Sequence, residues 1–224
     1  MKKRLFALLL AVLMLCLASC SRENGETTPY GFVDPQTDTE YFDVKPLGLY
    51  ALKADGDYIT VGEGNAQMTY SKVQFENPLK FLCYEDSGEF LLLRSEHVEE
   101  PTLATFDPVA AYIYDETNTV YITMFYADDE YLPEENKGKN PTEDTDLCRL
   151  IASSIEEGES VSVPAERVNT EDMYFIRLLS QKYPGLYYLV VFFGDTSGRY
   201  YLSDRAAGKT VYCPRDIIAR MVGE

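Results

Sequence analysis

Histidine, the side chain best suited to proton transfer at neutral pH, occurs once in the 224 residues, as His97. That count removes every zinc motif built on two histidines, and it leaves any Ser-His-Asp or Cys-His arrangement a single base to use. His97 stands in Arg94-Ser95-Glu96-His97-Val98-Glu99-Glu100, a charged stretch ahead of Pro101. This reads as an exposed strand end, where a solvated side chain is expected. Gly208-Lys209-Thr210 ends like a phosphate-binding loop, but the motif needs glycine at position 203, which is Ser203. Gly62-Glu63-Gly64 opens like a dinucleotide fingerprint and reaches Gln67 without its third glycine. Both stretches read as turns.

No Ser-x-x-Lys or Gly-x-Ser-x-Gly nucleophile signature is present. Carboxylates are abundant, 37 in all, so two could stand at the spacing of a glycosidase pair, yet linear order selects none. Asp55-Gly56-Asp57 and Asp128-Asp129-Glu130 offer the hard oxygen ligands that calcium takes, without the spacing of an EF-hand loop. They read as solvated loop charges. The sequence therefore assigns no catalytic residue, no metal ligand and no cofactor.

Tyrosine stands out with 18 copies beside no tryptophan. Because strand side chains alternate between faces, Tyr187-Tyr188 and Tyr200-Tyr201 each place one ring on each face, and some rings are expected to be exposed. Exposed tyrosines suit recognition of sugar, peptide or protein, although tyrosine is also an ordinary strand former. Cys83, Cys148 and Cys213 lack any Cys-x-x-Cys spacing, and they are expected to be buried thiols, with one disulfide as the alternative.

The elements that would position these residues are mostly strands. Between 41 and 131 the chain reads as short apolar or alternating runs. Lys80 to Tyr84 and Phe90 to Leu93 flank the turn residues 85–89, and Ala111 to Tyr114 and Thr119 to Tyr126 flank 115–118, giving two hairpins. Residues 132–141, LPEENKGKNP, read as a loop or linker. Thr142 is expected to cap a helix carrying Leu147, Leu150, Ile151 and Ile155 and ending at Gly158. Met173 to Leu179 and Leu186 to Phe193 form a third hairpin through Tyr183-Pro184-Gly185, a sequence suited to a type II turn. A meander over 199–212 follows, and Pro214 opens a short final helix with Ile217, Ile218, Met221 and Val222 on one face. The expected class is α+β, with antiparallel hairpins and meanders under a few helices packed on the sheet, as a β-rich lobe 41–131 and an α+β lobe 142–224 that can share one domain.

The first residues show a different logic. Lys2, Lys3 and Arg4 precede an unbroken apolar run from Leu5 to Leu17, which is shorter than the about 20 residues needed to span a bilayer. Leu17-Ala18-Ser19-Cys20 follows. These residues resemble the signal peptide and lipobox of bacterial lipoprotein precursors. The resemblance implies cleavage after residue 19, lipidation of Cys20, and residence in the cell envelope on the extracytoplasmic side of a membrane. Residues 20–40, rich in small polar and acidic types, then read as a flexible tether.

Loss of residues 1–19 leaves 17 basic and 37 acidic side chains, a net charge of −20 over 205 residues. Such a field disfavours nucleic acid as a partner. The expected function is a membrane-anchored lipoprotein with a non-catalytic binding head for an envelope protein, peptide or glycan. The alternatives are a carboxylate-based hydrolase of envelope glycans and a solute-binding transporter accessory.

Overall fold

The computed structural model describes residues 27–28, 31–44, 48–62, 67–114, 121–126, 142–143 and 146–222. The tyrosine-rich and β-branched runs of this chain become strands that hydrogen-bond into one continuous network of fifteen among the described residues. The segment read as a tether contributes β1 (Thr27–Thr28), β2 (Gly31–Asp34) and the first two residues of β3 (Thr39–Asp43). Next come β4 (Leu49–Ala51), β5 (Ala54–Val61), β6 (Met68–Val73), β7 (Phe81–Asp86) and β8 (Glu89–Ser95). After a one-turn helix, α1 (Leu103–Phe106), the chain forms β9 (Pro108–Tyr114), β10 (Tyr121–Tyr126) and β11 (Thr142–Glu143). Helix α2 (Leu147–Glu157) leads to the long hairpin of β12 (Val168–Ser180) and β13 (Leu186–Asp195), then β14 (Tyr200–Asp204), β15 (Lys209–Tyr212) and α3 (Arg215–Val222).

Pairing is antiparallel except between β10 and β11. Two strands carry the branches. One edge of β8 pairs with both β3 and β4 and the other with β7, while β13 pairs with β12 on one edge and with β4 and β14 on the other. Leu49, Tyr50 and Ala51 of β4 are all buried and join the two halves.

The α+β class is corrected by this arrangement: the fold is largely β. Among the described residues the three α-helices, of four, eleven and eight residues, are too short to form a layer. Only α2 lays a full apolar face on the sheet, burying Leu147, Cys148, Ile151, Ala152 and Ile155 over Ala111, Ile113, Ile176, Leu178 and Val190. Burial of each large aliphatic side chain contributes about 1.5–3 kcal/mol. The opposite face is covered by the chain itself. Val161, Val163 and Val168 pack on Val191, Phe193 and Tyr201. The run β2-β3-β8-β7-β6-β5 curls round Phe32, Tyr41, Val61, Tyr70, Leu82 and Leu93, and the Tyr58 hydroxyl on β5 donates to Asp34 on β2 across the curl (2.8 Å).

Local expectations fare unevenly. The first hairpin turns through Ser87 and Gly88, both at positive φ (54° and 86°), as a two-residue type I′ turn requires. At the third hairpin Leu186 N–H donates to Tyr183 O (3.0 Å), so Pro184 and Gly185 do occupy the turn. Gly185 has no positive φ, however, so the turn is not type II. Its glycine answers a different need, because a Cβ there would collide with the Gln74 carbonyl. Helix α2 starts at Asp146, not Thr142, since Thr142 and Glu143 stay extended to pair with Phe125 and Tyr126. It ends at Gly158 as expected. Residues 115–118 and 132–141 lie outside the described residues.

The adjacent tyrosines do straddle the sheet, but both faces are covered. Tyr187, Tyr188 and Tyr201 are buried, and among the described residues Tyr212 is the one tyrosine with a mostly exposed ring. Much of the tyrosine is structural. Tyr58, Tyr188 and Tyr201 donate their hydroxyls to Asp34, Asp204 and Asp195 (2.8, 2.9 and 2.8 Å). Each of those carboxylates also accepts a backbone N–H that closes its turn, from Gln36, Ala207, and Ser197 with Arg199. Buried acids are thereby satisfied at turns by rings that fill the core.

Two outcomes follow. Tyr188→Phe removes a hydrogen bond to a buried carboxylate and is expected to cost about 1.5–3 kcal/mol in denaturant unfolding. The Ser197 hydroxyl, the Arg199 N–H and the Tyr201 hydroxyl hold the Asp195 carboxyl well below the usual carboxylate range. Its contribution is complete above the ordinary carboxylate pKa and is lost as pH falls through the depressed one. Asp195→Asn is therefore expected to lower Tm at pH 7 and to flatten the fall in Tm below about pH 4, read by thermal unfolding across pH.

Candidate functional site

Three segments far apart in sequence converge on one open groove of about 280 Å³, lined by Glu76, Lys80, Phe81, His97, Val98, Glu99, Lys182 and Tyr183. The first wall is the 74–80 loop between β6 and β7. Asn77 shapes it, its side chain accepting from Leu79 N–H (2.9 Å) and its carbonyl from Lys80 N–H (2.8 Å). Tyr41 fixes it from below by donating to Pro78 O (2.9 Å). The second wall is the turn after β8, where Val98 N–H donates to Ser95 O (3.1 Å) and the Arg94 guanidinium to Val98 O (3.0 Å). The third is the 181–185 turn of the long hairpin. Tyr183 stacks on Phe106 (5.7 Å, 3°) and meets Phe81 edge-on (6.2 Å), which ties this wall to α1 and to the groove floor.

Glu76 connects the first and third walls, accepting from Gly185 N–H (3.1 Å). Burial raises its pKa, opposed by that N–H and by the charge of Lys80. Lys182 lies 3.8 Å from Asp107, and its ammonium donates to Thr105 O (3.4 Å). His97 is exposed, with Glu96 3.9 Å away. The groove thus sets two ammonium groups, an imidazole and two carboxylates over an apolar floor, an arrangement able to pair with charges of both signs.

His97 accordingly has the solvated position read from the sequence, yet it belongs to the groove. Asp55 and Asp57 are exposed on β5, while Cys20 and 128–130 lie outside the described residues. Among the described residues no three metal-binding side chains gather. Cys83, Cys148 and Cys213 are buried free thiols, and burial pushes Cys83 up to about 11 and Cys213 up to about 12, the reverse of what a nucleophile needs. Sequence reasoning missed Glu76, Lys80, Glu99, Lys182 and Tyr183. Charged residues in three separate segments carry no spacing signal, and only the strand pairing brings them together.

Comparison with protein-family models, with curated proteins and with solved structures finds no match for this chain.

Gly185→Ala is expected to push the first and third walls apart and to lower stability by about 1–3 kcal/mol in chemical unfolding. The thiols at 83, 148 and 213 are expected to resist a disulfide reagent at pH 8 in the native protein and to react fully in denaturant.

Proposed function

We propose that this chain is an envelope lipoprotein, lipidated at Cys20 and held on the extracytoplasmic side of a membrane, whose β-rich head is a non-catalytic binding module for a protein, peptide or glycan. The observation that carries the binding reading is the groove between the 74–80 loop, the turn after β8 and the 181–185 turn, where exposed Lys80, Lys182 and His97 stand beside Glu99 and half-buried Glu76. The buried carboxylates Asp34, Asp195 and Asp204 are satisfied by Tyr58, Tyr201 and Tyr188 and draw on none of these charges, while Glu76 and Lys182 also tie the walls through Gly185 N–H and Thr105 O. The thiols of Cys83, Cys148 and Cys213 are sealed in the core, and among the described residues the charge beside His97 is Glu96 at 3.9 Å, with no nucleophile paired to the imidazole there. The signal residues Lys2 to Leu17 and the lipobox Leu17-Ala18-Ser19-Cys20 support the address.

One observation favours a second reading, a carboxylate-based hydrolase of envelope glycans. Glu76 and Glu99 line the same groove, and the raised pKa of Glu76 is the property of a general acid.

The test is crosslinking in native membranes, comparing the full chain, a Lys80→Glu/Lys182→Glu variant, and an anchored control lacking 31–224. A partner bound in the groove is expected to crosslink to the full chain and to fall about ten-fold or more with the charge reversal, at unchanged Tm. Equal recovery from the variant, or none above the control, overturns the groove as a binding site. Hydrolysis of an envelope glycan that is lost in Glu76→Gln would replace binding with the second reading.

A further inference from the structure

One row of backbone pairs crosses the sheet where the anchor enters it. Thr27 pairs with Phe32, Phe32 with Tyr41, and Tyr41 with Ser95, whose N–H donates to Lys80 O (2.9 Å). With strands about 4.8 Å apart, Thr27 lies about 14 Å from Ser95. Because β1 runs antiparallel to β2, Thr27 is the end of β1 nearer the row of Val33, Glu40 and Glu96. The N-terminal end of β1 therefore faces the side of the sheet made by the 34–39 turn, the turn after β8 and the 74–80 loop.

Cys20 is seven residues before Thr27. Seven residues reach at most about 24 Å, and the headgroup layer takes about 6 Å of that span. A lipid on Cys20 would keep Thr27, and with it this end of the sheet, within about 18 Å of the bilayer surface.

That end carries the most exposed large apolar side chain recorded in the head. Phe75 is 74% exposed and Leu79 49%, both on the 74–80 loop. Phe75 also has φ at +66°, a conformation that a bulky side chain rarely adopts, and the loop beneath it is pinned by Tyr41 at Pro78 and by Glu76 at Gly185. Lys80 follows directly, and its ammonium can reach the phosphate level while Phe75 and Leu79 sit deeper.

We infer that the Phe75 and Leu79 side chains insert into the interfacial layer of the bilayer that anchors the protein, so that the groove opens at membrane level. Apolar insertion supplies the attraction, since a net charge of −20 on the mature chain gives none toward anionic lipid. The inference rests on lipidation of Cys20.

The chain has no tryptophan, so F75W supplies a lone reporter, and Y212W supplies a control at an exposed ring (53%) on β15. The full-length lipidated proteins are reconstituted in phosphatidylcholine vesicles with and without brominated acyl chains. F75W emission is expected to shift to shorter wavelength and to be quenched about two-fold or more by the brominated lipid, with Y212W unaffected. Quenching of F75W no greater than that of Y212W overturns the inference. A blue shift of F75W without bromine quenching also overturns it and assigns the loop to a protein contact. Failure of the anchor is read separately, as protein that does not float with vesicles and has no lipid mass.

Discussion

The three residues of β4 are the constraint on which the rest of the molecule depends. Tyr50 and Ala51 pair with β8 on one side, and Leu49, Tyr50 and Ala51 pair with β13 on the other. The two halves of the sheet are thereby one hydrogen-bonded body across a strand only three residues wide. Leu49 and Ala51 point into the core under α2, and Tyr50 points to the other face, where it stacks on Tyr187 (5.2 Å, 10°). Arg177 extends that second face, its guanidinium over Tyr187 (4.7 Å) and Tyr114 (4.6 Å) and 3.6 Å from Glu89. β8 and β13 are thus joined by backbone bonds at the centre and by a stacked cation on one side.

The groove is a consequence of that union. Its first two walls belong to the half built on β8, and its third is the turn that leads into β13. Without β4 fixing their relation, Glu76 would have no Gly185 N–H to accept from and Lys182 would not face His97 across a gap. Leu52 N–H, just past β4, donates to Gly185 O (2.8 Å), and Gln74 N–H donates to Lys53 O (3.0 Å). The chain leaving β4 therefore passes between two of the walls and ties both.

What could be read from the sequence was local. The hairpin at 85–89, the stop at Gly158, and the final helix behind Pro214 all follow from turn and cap residues acting within a few positions. The class was misjudged because Ile, Leu and Tyr at helical or alternating spacing say which face is apolar but not what covers it. Val161 and Val163 cover the second face from a stretch with almost no regular structure. Likewise Phe32 and Val33 lie in a segment whose composition suggests a tether, yet Phe32 stacks on Tyr41 (5.2 Å) and Tyr70 (4.5 Å) inside the curl. The abundance of tyrosine pointed toward an exposed recognition surface, whereas its main use is to bring hydroxyls to buried aspartates. A groove assembled from 76–81, 97–99 and 182–183 depends on long-range pairing, which no window of sequence contains.

The proposed membrane-level placement of the groove depends on the proposed lipid anchor at Cys20. The most direct measurement is the intact mass and N-terminal fragment spectrum of the protein purified from the membrane fraction of a bacterial host. A lipidated protein is expected to begin at Cys20 and to have the added mass of a diacylglyceryl group on that residue. A mature chain that begins elsewhere, or one that begins at Cys20 without lipid, would contradict that anchor.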